Sequence, residues 1–323
     1  MEKNTFATSA YIATSPETAY DYLCNLKNLD EWTLYSRMIE QMDENTWRGT
    51  ASGYQKDLYY HVKKISTEQF RGIEWHCGLE YQKYFQVYPV LLFPSSYIKP
   101  DTKESGVYFH WLSFVDPGRQ TPMIMQGIET VHTSECRSLK ANLERKEGYR
   151  EAAIGDYRIE TDTIYVNAPL ELAVEYLQNL DNMDDWAHLM RPQGKIDGNS
   201  GEFIDEYDRT VKVSFKVHEL STYYLIEQDY YYPDYDFIQR SPTILIPCAY
   251  AFGDRNAPGL IQHRITFWST KHAQRYGKLQ IHDYGAESMN IKRLLEAKAG
   301  NLDSFNQGMS YTPAIKESMA VTV

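Results

Sequence analysis

The chain has 323 residues, 42% hydrophobic and 24% charged, a composition that predicts a folded protein with room for two domains of ordinary size. Its formal net charge of −11 offers no basic footprint for nucleic acid or an anionic membrane surface, so neutral and apolar ligands remain the open classes. No run approaches the roughly 18 apolar residues of a spanning helix, and Met1-Glu2-Lys3-Asn4 precedes a strand-like stretch with no apolar leader; the expectation is no membrane insertion and a cytoplasmic location.

In chain order, a strand is predicted at about Phe6 to Ala13, then a helix with Pro16 in its first turn and Thr14 or Ser15 as N-cap. A short helical turn follows over Asn28-Leu29-Asp30-Glu31-Trp32, with Trp32 as a core anchor. Several antiparallel strands then read from period-2 alternation and from runs rich in Tyr, Val and Ile. A longer helix, Ile128 to about Lys146, closes the first half, with Ile128, Val131, Glu135 and Leu139 spaced as one mainly apolar stripe that a carboxylate interrupts. Residues Gly148 to Gly155 read as a link, and the order then starts again: a strand from Ile159 to Val166, a helix after Asn167-Ala168-Pro169, a turn ending at Trp186, more strands, and a helix from Ala286 to about Leu302. The tail Gly308 to Val323 shows little pattern.

The second half repeats the first. Pro16 answers to Pro169, Ile73-Glu74 to Ile226-Glu227, Pro94 to Pro247, Tyr97 to Tyr250, Gly106 to Gly259 and His110 to His263, all at an offset of 153; Trp32 answers to Trp186 at 154. A period this long is that of whole domains rather than of a solenoid, so each half is expected to bury its own core, with domains at 1–150 and 151–323. Cys24, Cys77, Cys136 and Cys248 show no CxxC spacing and no position shared between the halves, which points to free thiols and to neither a metal nor a disulfide framework. Tyrosine, with 27 residues against 12 phenylalanines, suits walls that are partly apolar and partly wet, although strand propensity would give the same excess.

The order strand, two short helices, antiparallel strands and long helix is an α+β architecture. The stretch Ser15-Pro16-Glu17-Thr18-Ala19-Tyr20-Asp21-Tyr22-Leu23, with Asn28 to Trp32 after it, resembles the opening of the START-related helix-grip (SRPBCC) superfamily, and Ala168 to Trp186 has the same look. The resemblance implies two tandem helix-grip domains, each a curved antiparallel sheet around its C-terminal helix with a large apolar cavity between. A duplicated arrangement is similar to the di-domain polyketide aromatase/cyclases, whose members commonly carry an arginine pointing inward from the sheet.

Alternate strand residues point to opposite faces, so the set that stays apolar in both copies is expected to face the cavity. By that test Tyr108, His110, Leu112 and Phe114, matched by Ile261, His263, Ile265 and Phe267, point inward, while Arg264 points outward and no inward arginine remains. Neighbouring strands add Leu58, Tyr60, Val62, Ile73, Trp75, Cys77, Leu79 and Tyr81 in the first half, and Ile226, Gln228, Tyr230 and Tyr232 in the second. The expected catalytic set is His110 as base with Tyr108 and Tyr60 as phenol donors; Trp75, Cys77, Tyr81, Leu112, Gln228, Tyr230, Tyr232 and His263 are expected to line the substrate. An imidazole among apolar neighbours stays neutral and can accept a proton, although a satisfied core histidine has the same pattern. Such residues could run an intramolecular aldol condensation and dehydration, and the resemblance implies a linear poly-β-keto chain as the substrate, without metal or organic cofactor, in the first half by preference. The substrate would be a hydrophobic small molecule or a polyketide tethered to an acyl carrier protein, with a ketosynthase as a further partner. A carrier for a lipid or other hydrophobic ligand, or a scaffold with filled cavities, fits the same patterning; no hydrolase triad, phosphate loop or HExxH occurs.

Overall fold

The structure, a computed structural model, describes residues 5–51, 56–100, 102–103, 105–114, 122–147, 157–187, 190–194, 196–205, 208–253, 256–269 and 285–301. The predicted link Gly148 to Gly155 and tail Gly308 to Val323 lie outside the described residues. Two compact units divide at Ile159 and Glu160, and the segment Cys248–Ala257 groups with the first.

The first unit runs β1 (Thr5–Ile12), α1 (Pro16–Cys24), α2 (Leu29–Trp32), β2 (Ser36–Asp43), β3 (Thr46–Ala51), β4 (Leu58–Ser66), β5 (Arg71–Gly78), β6 (Gln86–Pro94), α3 (Ser95–Ile98), β7 (Val107–Phe114) and α4 (Pro122–Glu147). Its seven strands form one antiparallel sheet in the order β1-β7-β6-β5-β4-β3-β2, the first strand closing on the last. α1 starts where the sequence asks it to: Ser15 Oγ accepts the Thr18 N–H at 3.0 Å and Pro16 occupies the first turn with its φ already set.

The second unit has β8 (Tyr157–Val166), α5 (Leu170–Gln178), α6 (Met183–Trp186), β9 (Met190–Pro192), β10 (Ser200–Asp205), β11 (Thr210–Leu220), β12 (Tyr223–Tyr232), β13 (Phe237–Arg240), β14 (Thr243–Pro247), α7 (Cys248–Ala251, in the segment that groups with the first unit), β15 (Leu260–Ser269) and a helix, α8, over residues 285–298. Its sheet has eight strands in the order β13-β15-β14-β12-β11-β10-β9, with β8 beside β15. The fold is α+β, two antiparallel sheets each followed by a long helix.

The duplication extends to single hydrogen bonds. Asn28 Nδ2 donates to the Tyr22 carbonyl and Asn182 Nδ2 to the Tyr176 carbonyl, both at 2.8 Å, while the Tyr22 and Tyr176 hydroxyls donate to Glu31 and Asp185, both at 2.9 Å. The Ala13 N–H donates to Glu144 on α4 at 3.0 Å, and the Asn167 N–H to Glu296 on α8 at 2.8 Å. Lys140 and Lys292, ion-paired with those glutamates, donate to the Tyr11 and Tyr165 carbonyls at 2.8 and 3.0 Å. Each helix is thereby tied near its C-terminal end to the edge of its own sheet. The matched glycines also have a cause: a Cβ on Gly106 would fall 1.9 Å from the Tyr11 hydroxyl oxygen, and one on Gly259, at φ +79°, 2.5 Å from the Val166 carbonyl oxygen.

The face of each sheet that the helix covers is set by the core. Cys136, Leu139 and Leu143 of α4 cluster with Ile12, Trp32, Tyr60, Val62, Ile73, Trp75, Cys77, Val90, Leu92, Val107, Phe109 and Trp111. Directly opposite residues of an antiparallel pair share a face, and Trp111 stands opposite Val90 and Phe109 opposite Leu92, whereas His110 stands opposite Leu91 and Tyr108 opposite Phe93. The expectation for β7 is therefore reversed: Val107, Phe109, Trp111 and Ser113 face α4, and Tyr108, His110, Leu112 and Phe114 face away. β15 is reversed in the same way, since Leu260 packs in the α8 core and Arg264 bonds to α8, while His263 Nδ1 meets Thr163 Oγ1 of β8 at 2.7 Å. The physical reason is that β7 is buried on both faces along its whole length, so alternation of hydrophobicity carries no direction. Leu79 and Tyr81 also depart from expectation, at 45% and 39% exposure, because β5 ends at Gly78 and the chain turns there; the Tyr81 hydroxyl donates to Asp43 at 2.7 Å.

Candidate functional site

Polar side chains gather on the helix-covered face of both sheets, but with different chemistry. In the second unit Arg264, at the middle of β15, is buried with 3% of its side chain exposed. Its Nη1 donates to Glu287 of α8 at 2.7 Å, its Nε to Ser241 Oγ at 3.0 Å and its Nη2 to the Tyr230 hydroxyl oxygen at 3.3 Å. Ser241 Oγ in turn shares a hydrogen bond of 2.8 Å with Thr266 Oγ1, and the Tyr230 hydroxyl reaches Gln228 Oε1 at 3.5 Å. The Tyr230 ring belongs to the core cluster that holds Phe215, Ile226, Tyr232, Leu245, Leu260 and Ile291. A buried guanidinium needs a counter-charge in reach, and Glu287 supplies it. Burial pushes the Tyr230 phenol up to about 12 against the opposing pull of Arg264, so it stays protonated and can donate. Gln228, Tyr230 and Tyr232 thus stand together on this face.

In the first unit the position of Arg264 is taken by Trp111, at the same offset of 153. Its ring lies 4.2 Å, centroid to centroid, from His132 of α4 and edge-on to Trp32 at 5.9 Å and Trp75 at 6.0 Å. His132 Nδ1 and Ser113 Oγ are 2.9 Å apart, and Tyr88 stands edge-on to both the tryptophan and the imidazole. Burial lowers the pKa of His132 to about 4, which keeps it neutral at pH 7. One turn along α4, Glu135 accepts the Leu34 N–H at 2.8 Å, and its burial raises the carboxyl to about 6. Glu135 and Glu287 hold matched places on their helices, at an offset of 152.

Of the residues expected at the site, Tyr60, Trp75 and Cys77 lie on the α4 side, Tyr60 donating to the Thr50 carbonyl at 3.2 Å, Trp75 Nε1 to the Leu23 carbonyl at 3.2 Å, and the Cys77 thiol pushed up to about 12 by burial. His110, Tyr108, Leu112 and His263 are buried on the other face of their sheets, and Tyr81 is outside; they do not meet the residues under the helices. Burial lowers the pKa of His110 to about 3. Sequence reasoning missed His132, Ser113, Trp111 and Arg264. The signal for His132 was present: His132, Cys136, Leu139 and Leu143 repeat at four, three and four residues, and this stripe, not the one through Ile128 and Val131, faces the sheet. Among the described residues no group of three or more His, Cys, Asp or Glu side chains could hold a metal ion.

The architecture is that of a tandem helix-grip protein. The family model described as Domain of unknown function (DUF8713) matches residues 1–152 and again 159–304, and the chain belongs to that family, which it carries twice. No curated protein matches the sequence. Among solved structures, the chain is similar to the di-domain ARO/CYC StfQ from the steffimycin biosynthetic pathway, at 8% identity and a TM-score of 0.33 over 91% of this chain and 99% of that one. It is similar too to the di-domain ARO/CYC BexL from the BE-7585A biosynthetic pathway, at 10% identity and a TM-score of 0.32 over 91% and 99%. A START superfamily protein from Mycobacterium smegmatis, at 9% identity and a TM-score of 0.33, covers 45% of this chain and 99% of its own. No helix among the described residues is long and apolar enough to cross a membrane.

Proposed function

We propose that the chain is a polyketide cyclase/aromatase that catalyses aldol condensation and dehydration of a linear poly-β-keto substrate, free or tethered to an acyl carrier protein, and that the reaction runs in the second unit. The observation that carries this reading is the buried Arg264–Glu287–Tyr230 array on the helix-covered face of the second sheet. Glu287 takes a proton from a methylene between two carbonyls. The negative charge moves from its carboxylate to the enolate oxygen and stays beside Arg264, so the guanidinium is never left without a counter-charge in the low-dielectric interior. The enolate carbon bonds to a second carbonyl carbon of the same chain, the new alkoxide takes the Tyr230 proton, and the phenolate takes back the proton that Glu287 had removed, so that both groups are restored before dehydration. Loss of a further α-proton and of the hydroxyl as water gives the unsaturated ring, and aromatisation drives that step. The apolar walls contribute by holding the flexible chain with its two reacting carbons close.

The test is cyclisation of a synthetic poly-β-keto thioester, followed by liquid chromatography and mass spectrometry. The wild-type chain is expected to give one aromatic product, Tyr230→Phe to lower the rate about 10²-fold by removing one oxyanion donor, and Glu287→Gln to abolish turnover. Return of the thioester with only its spontaneous cyclisation pattern would overturn the reading and leave a binding protein.

A further inference from the structure

Among the matched positions at which the two helix-covered faces differ, Trp111 and Arg264 stand at the middle of their strands and differ most in chemistry. Where β15 puts a guanidinium with its own carboxylate, β7 puts Trp111, which is 5% exposed and whose indole N–H meets no acceptor among the described residues. A buried, unmet donor is costly and is satisfied when a ligand supplies an oxygen. Its surroundings define the rest of that ligand. Trp32, Trp75 and Tyr88 present edges and faces around the indole, and the ring of His132 lies against it, held by Ser113. No cation stands at this position to hold an enolate, and the imidazole is uncharged at neutral pH.

We infer that the first unit is a separate binding site for a flat, neutral aromatic ketone, whose carbonyl oxygen accepts the Trp111 indole N–H while its ring lies among Trp32, Trp75, Tyr88 and His132. Resting on the proposed function, this makes the first unit the receiver of what the second makes: a dehydrated, aromatised ring has lost the acidic methylene that Glu287 deprotonates and kept a carbonyl for Trp111. The two units then perform successive tasks, ring formation and product retention, rather than the same task twice.

The test separates this inference from the cyclase reading by using a probe that cannot be cyclised. 9-Fluorenone and fluorene have the same flat ring system and differ in the carbonyl. Titrated into the full chain and followed by tryptophan fluorescence and calorimetry, fluorenone is expected to bind saturably with one equivalent, about tenfold more tightly than fluorene, the worth of one well-placed hydrogen bond. Trp111→Phe keeps an aromatic ring and removes the N–H; it is expected to erase the tenfold preference. Arg264→Gln is expected to leave fluorenone affinity unchanged while turnover falls. Independently of any variant's folding, the indole N–H spectrum of the ¹⁵N-labelled wild-type chain, which has six tryptophans, is expected to show, at saturation with each ligand, one N–H proton moved further downfield by fluorenone than by fluorene, because only the ketone adds an acceptor to the ring-current shifts that both produce. An unaltered preference in Trp111→Phe, fluorenone binding lost in Arg264→Gln, no saturable binding, or no carbonyl-dependent shift would each overturn the assignment. Failure of the wild-type chain to cyclise a poly-β-keto thioester would leave the fluorenone results standing and refute only the role as receiver.

Discussion

Glu135 allows a stability prediction whose sign runs against the usual behaviour of carboxylates. It is buried at 5% exposure on α4, and burial raises its carboxyl from the ordinary 4.5 to about 6, with the Leu34 N–H pulling the other way. A rise of that size means the ionised form costs the folded state about 2 kcal/mol relative to the unfolded chain. The penalty is complete above the folded value of about 6, fades as the pH falls, and is absent below the unfolded value of 4.5, where both states are protonated. Glu135→Gln keeps an oxygen for the Leu34 N–H and removes the charge. It is therefore expected to stabilise the chain by about 2 kcal/mol at pH 7.5 and by nothing measurable at pH 4, read from urea midpoints by circular dichroism. A stabilisation that persists at pH 4, or a loss of stability at pH 7.5, would refute the reasoning and show that the carboxylate is solvated or paired in the fold.

Two further outcomes follow from the same kind of accounting. Arg264→Met leaves Glu287 buried and uncompensated and is expected to cost about 3–5 kcal/mol, while adding Glu287→Gln recovers part of that loss; additive effects in this double-mutant cycle, measured by urea unfolding, would mean that the pair is not coupled. Ser15→Ala removes the oxygen that receives the Thr18 N–H and is expected to cost about 1 kcal/mol in the same assay, an unchanged midpoint arguing that the cap is replaced by water.

The duplication and the element order were legible because they rest on identities at special positions: Pro16 and Pro169 at helix starts, Trp32 and Trp186 at the ends of short helices, Gly106 and Gly259 where strands crowd together. Strands β4 and β5 also read with the face that the helix covers, since each carries its polar side chains mainly on the other side. β7 and β15 did not. Both faces of β7 are apolar, and on β15 the polar residues Gln262, Arg264 and Thr266 occupy the side that the helix covers, opposite to what a rule of apolar interiors assumes. That rule fails where an interior carries a polar array, because burial there is compensated by hydrogen bonds rather than by hydrophobicity. His132 escaped for a related cause: judged by apolar residues alone, the α4 stripe shifts by one residue to Ile128 and Val131, and the polar member of the true stripe drops out.

The lysine and glutamate pairs that tether α4 and α8 are the same in both copies, while the central strand positions they leave untouched have become tryptophan in one and arginine in the other. Such rivets hold a helix on its sheet whatever side chains stand beneath its middle, so a chain with two of them can vary one interior and leave the other as it is. Doubling thus turned a single fold into a pair of independently adjustable interiors on one chain.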